Sequence, residues 1–200
     1  MFITHSVIGI LAGIFATSSY FFYIRAILQG KTKPHRITWI LWSALSLIIL
    51  SSYYYSGARD TIWVPIGETL GPIIVAILAF KMGTGGWSRL DKFCVTGVLL
   101  TVTVWWIFNS PLLALIASLC IDFFAAIPTI YKTFKDPNSE DTTAWICTAT
   151  ASVLNIFAIE NFSFSIAVYP IYMITMNIVI VLLVSNKKRL FKIPFVHTSS

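Results

Sequence analysis

Two carboxylates stand inside apolar stretches of this sequence, where charge is costly. Glu68 is the single charged residue of segment 61–80, and Asp122 directly follows the uncharged segment 93–121. An acidic side chain in the middle of a membrane helix costs about 2.5–3.5 kcal/mol on insertion scales, so such a residue usually faces a polar partner or a wet cavity. No Lys or Arg accompanies Asp122 at a similar depth, which makes it a candidate for taking up and releasing a proton. A hydrogen-bonded structural aspartate is the alternative.

A stripe of polar and aromatic side chains lies in segment 143–159. Its members recur at steps of three, four and three residues, a spacing that places side chains on one face of a helix. Hydrogen bonds from such a stripe, together with a stacking ring, suit a small polar solute, whereas hydrogen bonding between helices is the alternative. The stripe consists of Trp145, Thr148, Ser152 and Asn155, and segment 37–55 carries Trp39, Trp42 and Ser46 at matching positions.

Small residues predict a close contact between two segments. Gly67 and Gly71 lie on either side of Glu68, and Gly9 and Gly13 have the same spacing in segment 6–28. Glycines at this spacing let the backbones of two helices approach each other closely. We therefore predict that the helices of segments 6–28 and 62–81 touch along these glycines.

Composition identifies the elements that must position these residues. The sequence is 57% hydrophobic and 11% charged, whereas soluble domains carry about 25% charge, so we interpret it as an integral membrane protein. An apolar stretch of about 18 residues is long enough to span a bilayer as a helix. The tripeptide Asn109-Ser110-Pro111 divides one stretch that is too long for a single span. The predicted fold is all-α, with seven transmembrane helices at 6–28, 37–55, 62–81, 93–108, 111–134, 143–159 and 164–184.

Other chemistry is not indicated. The cysteines and histidines, three of each, show no paired or ligand spacing, which favours packing roles. The sequence contains no zinc-ligand spacing, no phosphate-binding glycine loop, no nucleophile elbow and no Ser-His pair within the spans. We therefore predict no cofactor and no metal site, and we predict that the protein is not an enzyme.

The basic residues predict an orientation. The formal net charge is +6, but its distribution along the spans is typical of a membrane protein and does not point to nucleic acid as a partner. Of the 14 Lys and Arg residues, all except Arg59 fall on one side of the spans, which the positive-inside rule assigns to the cytoplasm. This places the N-terminus outside and the C-terminus in the cytoplasm, with a basic tail at 187–200. The crowded side holds Arg25, Lys31, Lys33, Arg36, Lys81, Arg89, Lys92, Lys132, Lys135, Lys187, Lys188, Arg189 and Lys192.

The connection between the fifth and sixth spans mixes both signs of charge. Lys135, Asp136, Glu140 and Asp141 lie close together in it, a pattern that predicts a solvated loop. Asp141 or Thr142 is the expected cap of the following helix, since both residue types accept hydrogen bonds from free backbone N–H groups.

The second half of the chain repeats the layout of the first at an offset of 106 residues. Segment 22–39 aligns without a gap on segment 128–145, which pairs Trp39 with Trp145, and beyond it Ser46 pairs with Ser152. This predicts a first three-helix repeat at 1–84, a linker helix at 85–110 and a second three-helix repeat at 111–186. The linker returns the chain to its starting side, so the repeats are expected to be parallel. Transporters built from repeats bind their substrate near the midplane, where the repeats meet.

This three-one-three layout, with a short polar loop after the first helix of each repeat, resembles the SWEET and PQ-loop superfamily, as a divergent member of bacterial type. The Pro-Gln dipeptide of the family falls at Pro128-Thr129, a half match, and the resemblance implies that Pro128 is a hinge. It also implies a substrate contact by Asn177 and a coupling role for Asp122. After a one-residue slip Tyr172 takes the place of Gly67 and Asn177 that of Pro72. The asparagine contact is thus expected in one half only, and the pocket is expected to be asymmetric.

The resemblance implies a multi-pass protein of the cell membrane, the inner membrane in a bacterium. Its implied function is transport of a small polar solute by alternating access, the solute being a sugar, an amino acid or a vitamin-like compound. A non-transporting receptor or assembly factor on the same scaffold is the alternative, and a bacterial nicotinamide riboside transporter is a close rival. The expected partners are the solute and the lipid bilayer, and a homo-oligomer stays open. The expected substrate site comprises Asn177, Asn155, Ser152, Ser46, Glu68, Trp42 and Tyr172.

Overall fold

The structure is a computed structural model that describes residues 2–185, apart from the side chains of residues 2–4, 90, 91, 94, 101, 102, 104 and 105. The predicted basic tail at 187–200 lies outside the described residues. Within the described range the chain folds into seven α-helices with short connections, and their ends agree with the predicted segments to about one helical turn. The helices are α1 (Phe2–Leu28), α2 (Arg36–Tyr55), α3 (Trp63–Met82), α4 (Arg89–Phe108), α5 (Pro111–Lys135), α6 (Thr142–Phe157) and α7 (Phe164–Ser185).

Local signals in the sequence set the helix ends. Asn109 has a φ of 46°, a left-handed conformation that asparagine tolerates better than most residues, and it separates α4 from α5. Ser110 caps α5 with its side chain, and Pro111 occupies the first turn, where its missing N–H costs nothing. Asp141 caps α6 by accepting a hydrogen bond from the backbone N–H of Ala144 at 2.8 Å, which confirms the predicted cap.

Five helices in the described part of the chain are long and apolar enough to cross a membrane, by length and composition. Large apolar side chains project from the bundle: Phe21 and Phe80 are each 66% exposed and Leu182 is 65% exposed. A broad apolar surface of this kind is typical of lipid contact. The described part of the chain is all-helical and has the features of a membrane-embedded protein. The five helices are His5–Leu28, Arg36–Tyr55, Asp60–Met82, Pro111–Lys135 and Phe164–Ser185.

Hydrogen bonds between the connections show which helix ends lie together. The backbone N–H of Arg36, at the start of α2, donates to the carbonyl of Thr84 after α3 at 2.9 Å. Lys132, near the end of α5, donates from Nζ to the carbonyl of Lys33 before α2 at 2.6 Å. These three connections therefore share one end of the bundle. We call it the basic end, because every described Lys and Arg except Arg59 lies there.

The contacts between helices fall into matched pairs. Helix α1 packs against α6, and α5 packs against α2. Helix α3 contacts both α1 and α2, as α7 contacts both α5 and α6, while α4 packs on α5 and α2. Exchanging helices α1–α3 with helices α5–α7 therefore maps one set of contacts onto the other. The two halves meet chiefly through the crossed contacts of α1 with α6 and of α5 with α2.

The predicted glycine contact between α1 and α3 is confirmed. A Cβ atom added to Gly13 would lie 2.8 Å from the Cβ atom of Trp63. A Cβ atom added to Gly71 would overlap the ring of Tyr20, at 2.1 Å from its Cγ atom. Because these two helices approach where side chains are missing, Tyr20 can lie flat against α3. This close approach positions one of the polar contacts of the site described next.

Candidate functional site

A cavity of about 90 Å³ lies between six of the helices, α4 being the exception among those described. A single water needs about 10–15 Å³, so the cavity has room for several waters or for a small solute. Much of its wall is apolar or aromatic, and polar groups reach it from both halves of the chain. The polar lining residues besides the tyrosines and tryptophans are Ser19, Ser46, Glu68, Asp122, Thr148 and Asn177.

Each carboxylate of the cavity accepts a hydrogen bond from a tyrosine of its own half. The hydroxyl of Tyr20 on α1 donates to Oε2 of Glu68 on α3. The hydroxyl of Tyr172 on α7 donates to Oδ2 of Asp122 on α5 at 2.6 Å. The remaining oxygen of Glu68, Oε1, is buried and has no hydrogen-bond partner among the described residues.

The cavity lacks a matching positive charge. None of the lining residues that the structure describes is a Lys, Arg or His. An unpaired carboxylate away from water is costly, so it favours either a bound proton or a bound cation. The cavity can therefore hold protons or attract a positively charged group at Glu68 and Asp122.

Four aromatic residues, here called the aromatic cage, form a closed chain of ring contacts along the cavity. The ring of Tyr23 lies 4.8 Å from that of Trp39, which lies 4.9 Å from that of Trp42. The rings of Trp42 and Trp145 are 6.4 Å apart, and those of Trp145 and Tyr23 are 6.5 Å apart. All four residues lie within about two helical turns of the basic end. The cage therefore lies between the carboxylates and that end.

A buried ion pair lies next to the aromatic cage at the basic end. Lys132 Nζ lies 2.5 Å from Oε1 of Glu140, whose side chain is 0% exposed. The indole N–H of Trp145 donates to Oε2 of Glu140 at 3.0 Å. Because Lys132 also donates to the carbonyl of Lys33, the pair joins the second half of the chain to the first. The prediction of a solvated loop is wrong for Glu140, which is buried because a lysine and an indole both reach it.

Five of the predicted site residues line the cavity together, from α2, α3, α5 and α7. Asn177 is 3% exposed, and its Nδ2 donates to Oγ of Ser152 at 2.9 Å. The amide is thus held in one orientation on the cavity wall. The five lining residues are Trp42, Ser46, Glu68, Asp122 and Asn177.

Three further predicted site residues, Ser152, Asn155 and Tyr172, lie outside the cavity lining. Ser152 and Tyr172 instead hydrogen-bond to the lining residues Asn177 and Asp122, so they position polar groups that face the cavity. Asn155 is 1% exposed, and its side-chain amide has no hydrogen-bond partner in the described chain. It lies about 15 Å along α6 from Trp145. The polar stripe therefore continues on the same helical face beyond the end of the cavity.

Pro128, the predicted hinge, lies half-buried inside α5, which continues on both sides of it. Since proline has no N–H, the α-helical hydrogen bond to the carbonyl of Phe124 cannot form. Thr38 on α2 donates to the adjacent carbonyl of Ala125 at 2.9 Å. A bend at this point would move the segment that carries Asp122 relative to α2, and the hinge role stays a prediction.

Sequence reasoning missed Tyr20, and it placed Tyr172 in the substrate site without pairing it with Asp122. Tyr20 lies in an apolar segment 48 positions before Glu68, so no local spacing links the two residues. The available signal was a tyrosine well inside a predicted span, because a phenol hydroxyl away from the membrane interface needs a hydrogen-bond partner. A carboxylate within a neighbouring span is such a partner.

No metal centre emerges from the described residues, where no group of three or more His, Cys, Asp or Glu side chains could hold an ion. Compared with protein-family models, with curated proteins and with solved structures, the chain matches none of them.

Proposed function

We propose that this protein is a multi-pass membrane carrier that moves a small polar solute by alternating access. The observation that carries the proposal is the cavity, which lies between the two halves of the chain and is lined by charged and polar groups from both. Intramembrane ionisable residues that face a cavity mark substrate or ion pathways. The seven helices would all span the bilayer, with the N-terminus outside and the basic end in the cytoplasm.

The matched helix contacts support two parallel three-helix repeats joined by α4. The α1–α6 and α5–α2 contacts both cross from one half to the other. Exchanging the two halves turns one contact into the other, as expected for two copies of one repeat. Carriers built from such repeats bind solute where the repeats meet. The proposed membership of the SWEET and PQ-loop superfamily follows from this layout and from the half match at Pro128-Thr129.

Asp122 is the proposed proton-coupling residue. It lines the cavity, its Oδ2 accepts a hydrogen bond from Tyr172 at 2.6 Å, and no described Lys or Arg lies beside it there. A carboxylate that has no cationic partner can bind a proton without leaving an unpaired positive charge in the cavity. Loading and release of that proton would alternate with the two orientations of the cavity.

Reconstitution into liposomes tests the proposal directly. Full-length protein, first screened for stabilising solutes by thermal shift, would be tested for uptake with and without a pH gradient. A carrier accumulates at least one stabilising solute above the level of protein-free liposomes. Binding without any uptake or exchange would instead indicate the receptor role on the same scaffold.

Replacement of Asn177 by alanine is expected to weaken solute binding more than folding. We expect binding to weaken about 10-fold or more, since an oriented amide on the cavity wall is lost. The free energy of unfolding should fall by only about 1 kcal/mol, because Ser152 keeps its bond to the carbonyl of Thr148 at 2.9 Å. Titration of the thermal shift with solute measures both quantities, with Asn161→Ala, in an exposed connection, as the matched control. A collapse of thermal stability with unchanged affinity would assign Asn177 a purely structural role.

A further inference from the structure

Two hydroxyls of the cavity wall already donate to backbone carbonyls, whereas the indole N–H groups of Trp39 and Trp42 are buried without a hydrogen-bond partner among the described residues. The hydroxyl of Ser46 donates to the carbonyl of Ser43 at 3.0 Å, and that of Thr148 donates to the carbonyl of Ala144 at 3.2 Å. The Nδ2 atom of Asn177 uses one of its two N–H groups on Ser152. The wall therefore offers donors as well as acceptors, and the choice between a neutral and a charged solute rests on the charge of the wall and on its ring faces.

The negative groups of the cavity are available for a positive charge. Glu68 keeps Oε1 buried and without a hydrogen-bond partner among the described residues, while its Oε2 accepts from Tyr20. Lining carboxylates on α3 and α5, with no lining Lys, Arg or His in the described chain, repel an anion. A cation entering the cavity would supply the missing counter-charge at Glu68.

The aromatic cage provides the second, independent feature that a cation requires. The planes of Trp39 and Trp42 cross at 86°, and those of Trp42 and Trp145 cross at 69°. The ring of Tyr20, which donates to Glu68, lies 6.3 Å from that of Trp39 at 81°. Rings set at steep angles to one another surround ammonium groups in proteins, because each ring face is electron-rich and attracts a cation.

From Glu68, which has no cationic partner in the lining, and from the crossed rings, we infer that the solute is a small organic cation. Its ammonium or quaternary ammonium group would be held between Glu68 and the rings of Tyr20, Trp39 and Trp42. The rest of the solute would contact the apolar wall on α7, which includes Met173. This inference rests on the proposed carrier function and narrows its substrate to one charge class, with Asp122 left for the proton.

A pair of isosteric probes tests the charge directly on the full-length protein in detergent. Choline carries a trimethylammonium group, and 3,3-dimethyl-1-butanol has the same shape with a neutral carbon in place of nitrogen. We expect choline, or tetramethylammonium in the same titration, to bind at least about 10-fold more tightly than the neutral alcohol. Equal binding of choline and its neutral twin, or glucose binding with no cation bound, would overturn the inference.

Variants locate the site. Glu68→Gln should lose about 10-fold or more in choline affinity, while Glu160→Gln in the exposed connection before α7 should not change it. Should Glu68→Gln fail to fold, the pair Trp42→Phe and Trp42→Leu decides, because only the first keeps a ring: the leucine variant should bind choline about 10-fold more weakly than the phenylalanine variant. Unchanged affinity in these variants would contradict the assigned site.

Liposome experiments separate this inference from the proposed function. Choline binding without choline uptake or exchange would support the cation site and contradict the carrier function. Uptake of a neutral solute, together with equal binding of choline and 3,3-dimethyl-1-butanol, would support the carrier function and contradict the cation site.

Discussion

Replacing Asp122 with asparagine is expected to reduce uptake driven by a proton gradient to the level of protein-free liposomes, while solute exchange across the same membrane continues. The asparagine amide cannot take up or release a proton, so the proton gradient can no longer drive solute uptake. It keeps nearly the same shape, and its oxygen can still accept the hydrogen bond that Tyr172 now donates at 2.6 Å. Folding and the solute contact at Glu68 should therefore survive.

The matched control for this variant is Asp136→Asn. Asp136 is exposed in the connection after α5, and its Oδ1 accepts from the backbone N–H of Asn138 at 3.1 Å, a role that an asparagine oxygen can fill. Uptake with and without the gradient, and exchange of labelled for unlabelled solute, should be normal in the control. Normal driven uptake by Asp122→Asn would remove Asp122 from the coupling mechanism.

Removing the charge of Lys132 is expected to destabilise the packing of the basic end. In Lys132→Met, Glu140 would stay fully buried without its cationic partner, with the Trp145 N–H still donating to it. Loss of one member of a buried ion pair costs about 3–5 kcal/mol, and the 19% exposure of the Lys132 side chain points to the lower part of that range. The link to the Lys33 carbonyl is lost as well. Thermal unfolding of the purified variant measures the effect.

A double variant separates the ion pair from a general packing effect. Lys132→Met combined with Glu140→Leu removes both charges, and such replacements are often neutral or stabilising, so most of the lost thermal stability should return. Lys135→Met is the matched single control, since Lys135 lies exposed on the same helix, over the ring of Tyr131. Full stability of the single Lys132 variant, or no recovery in the double variant, would contradict the assigned role of the pair.

The helices were predictable because their signals are local. Each signal lies within one stretch of the chain: the length of an apolar segment, the turn at Asn109, the cap at Asp141, and the spacing of Gly67 and Gly71. The structure contains the turn, the cap and the close contact at the glycines. Chain order and these breaks alone place every described helix to about one turn. The glycine spacing went further and predicted which two helices touch, since close approach needs small residues on both of them.

The site was predictable in part, because helical spacing fixes the face of a residue and not its depth. Trp145 and Thr148 line the cavity, whereas Asn155 shares their face and is buried beyond the cavity's end. The useful signal was an ionisable residue within a predicted span. Burying Glu68 or Asp122 in a membrane costs free energy unless the side chain faces a polar partner or a cavity. Both line the cavity.

Long-range partners could not be read from the sequence. Tyr172 reaches Asp122 across 50 positions, and Lys132, the ion-pair partner of the buried Glu140, donates to the carbonyl of Lys33 across 99 positions. In the sequence, a connection of mixed charge predicts only a solvated loop, and a tyrosine in an apolar helix shows no partner. Their contacts become visible only in the folded chain. These contacts arise from how the two halves pack, a property of the assembled fold.

Access to the cavity from both sides of the membrane is the central claim, and it can be measured at one position. Ser46 lines the cavity, so Ser46→Cys, in a variant whose Cys94, Cys120 and Cys147 are replaced by alanine, places a single thiol in it. Membrane-impermeant thiol reagents would be added to one face of sealed vesicles at a time. The account predicts reaction from either face, slowed by bound solute. Reaction from one face only, or from neither, would contradict alternating access.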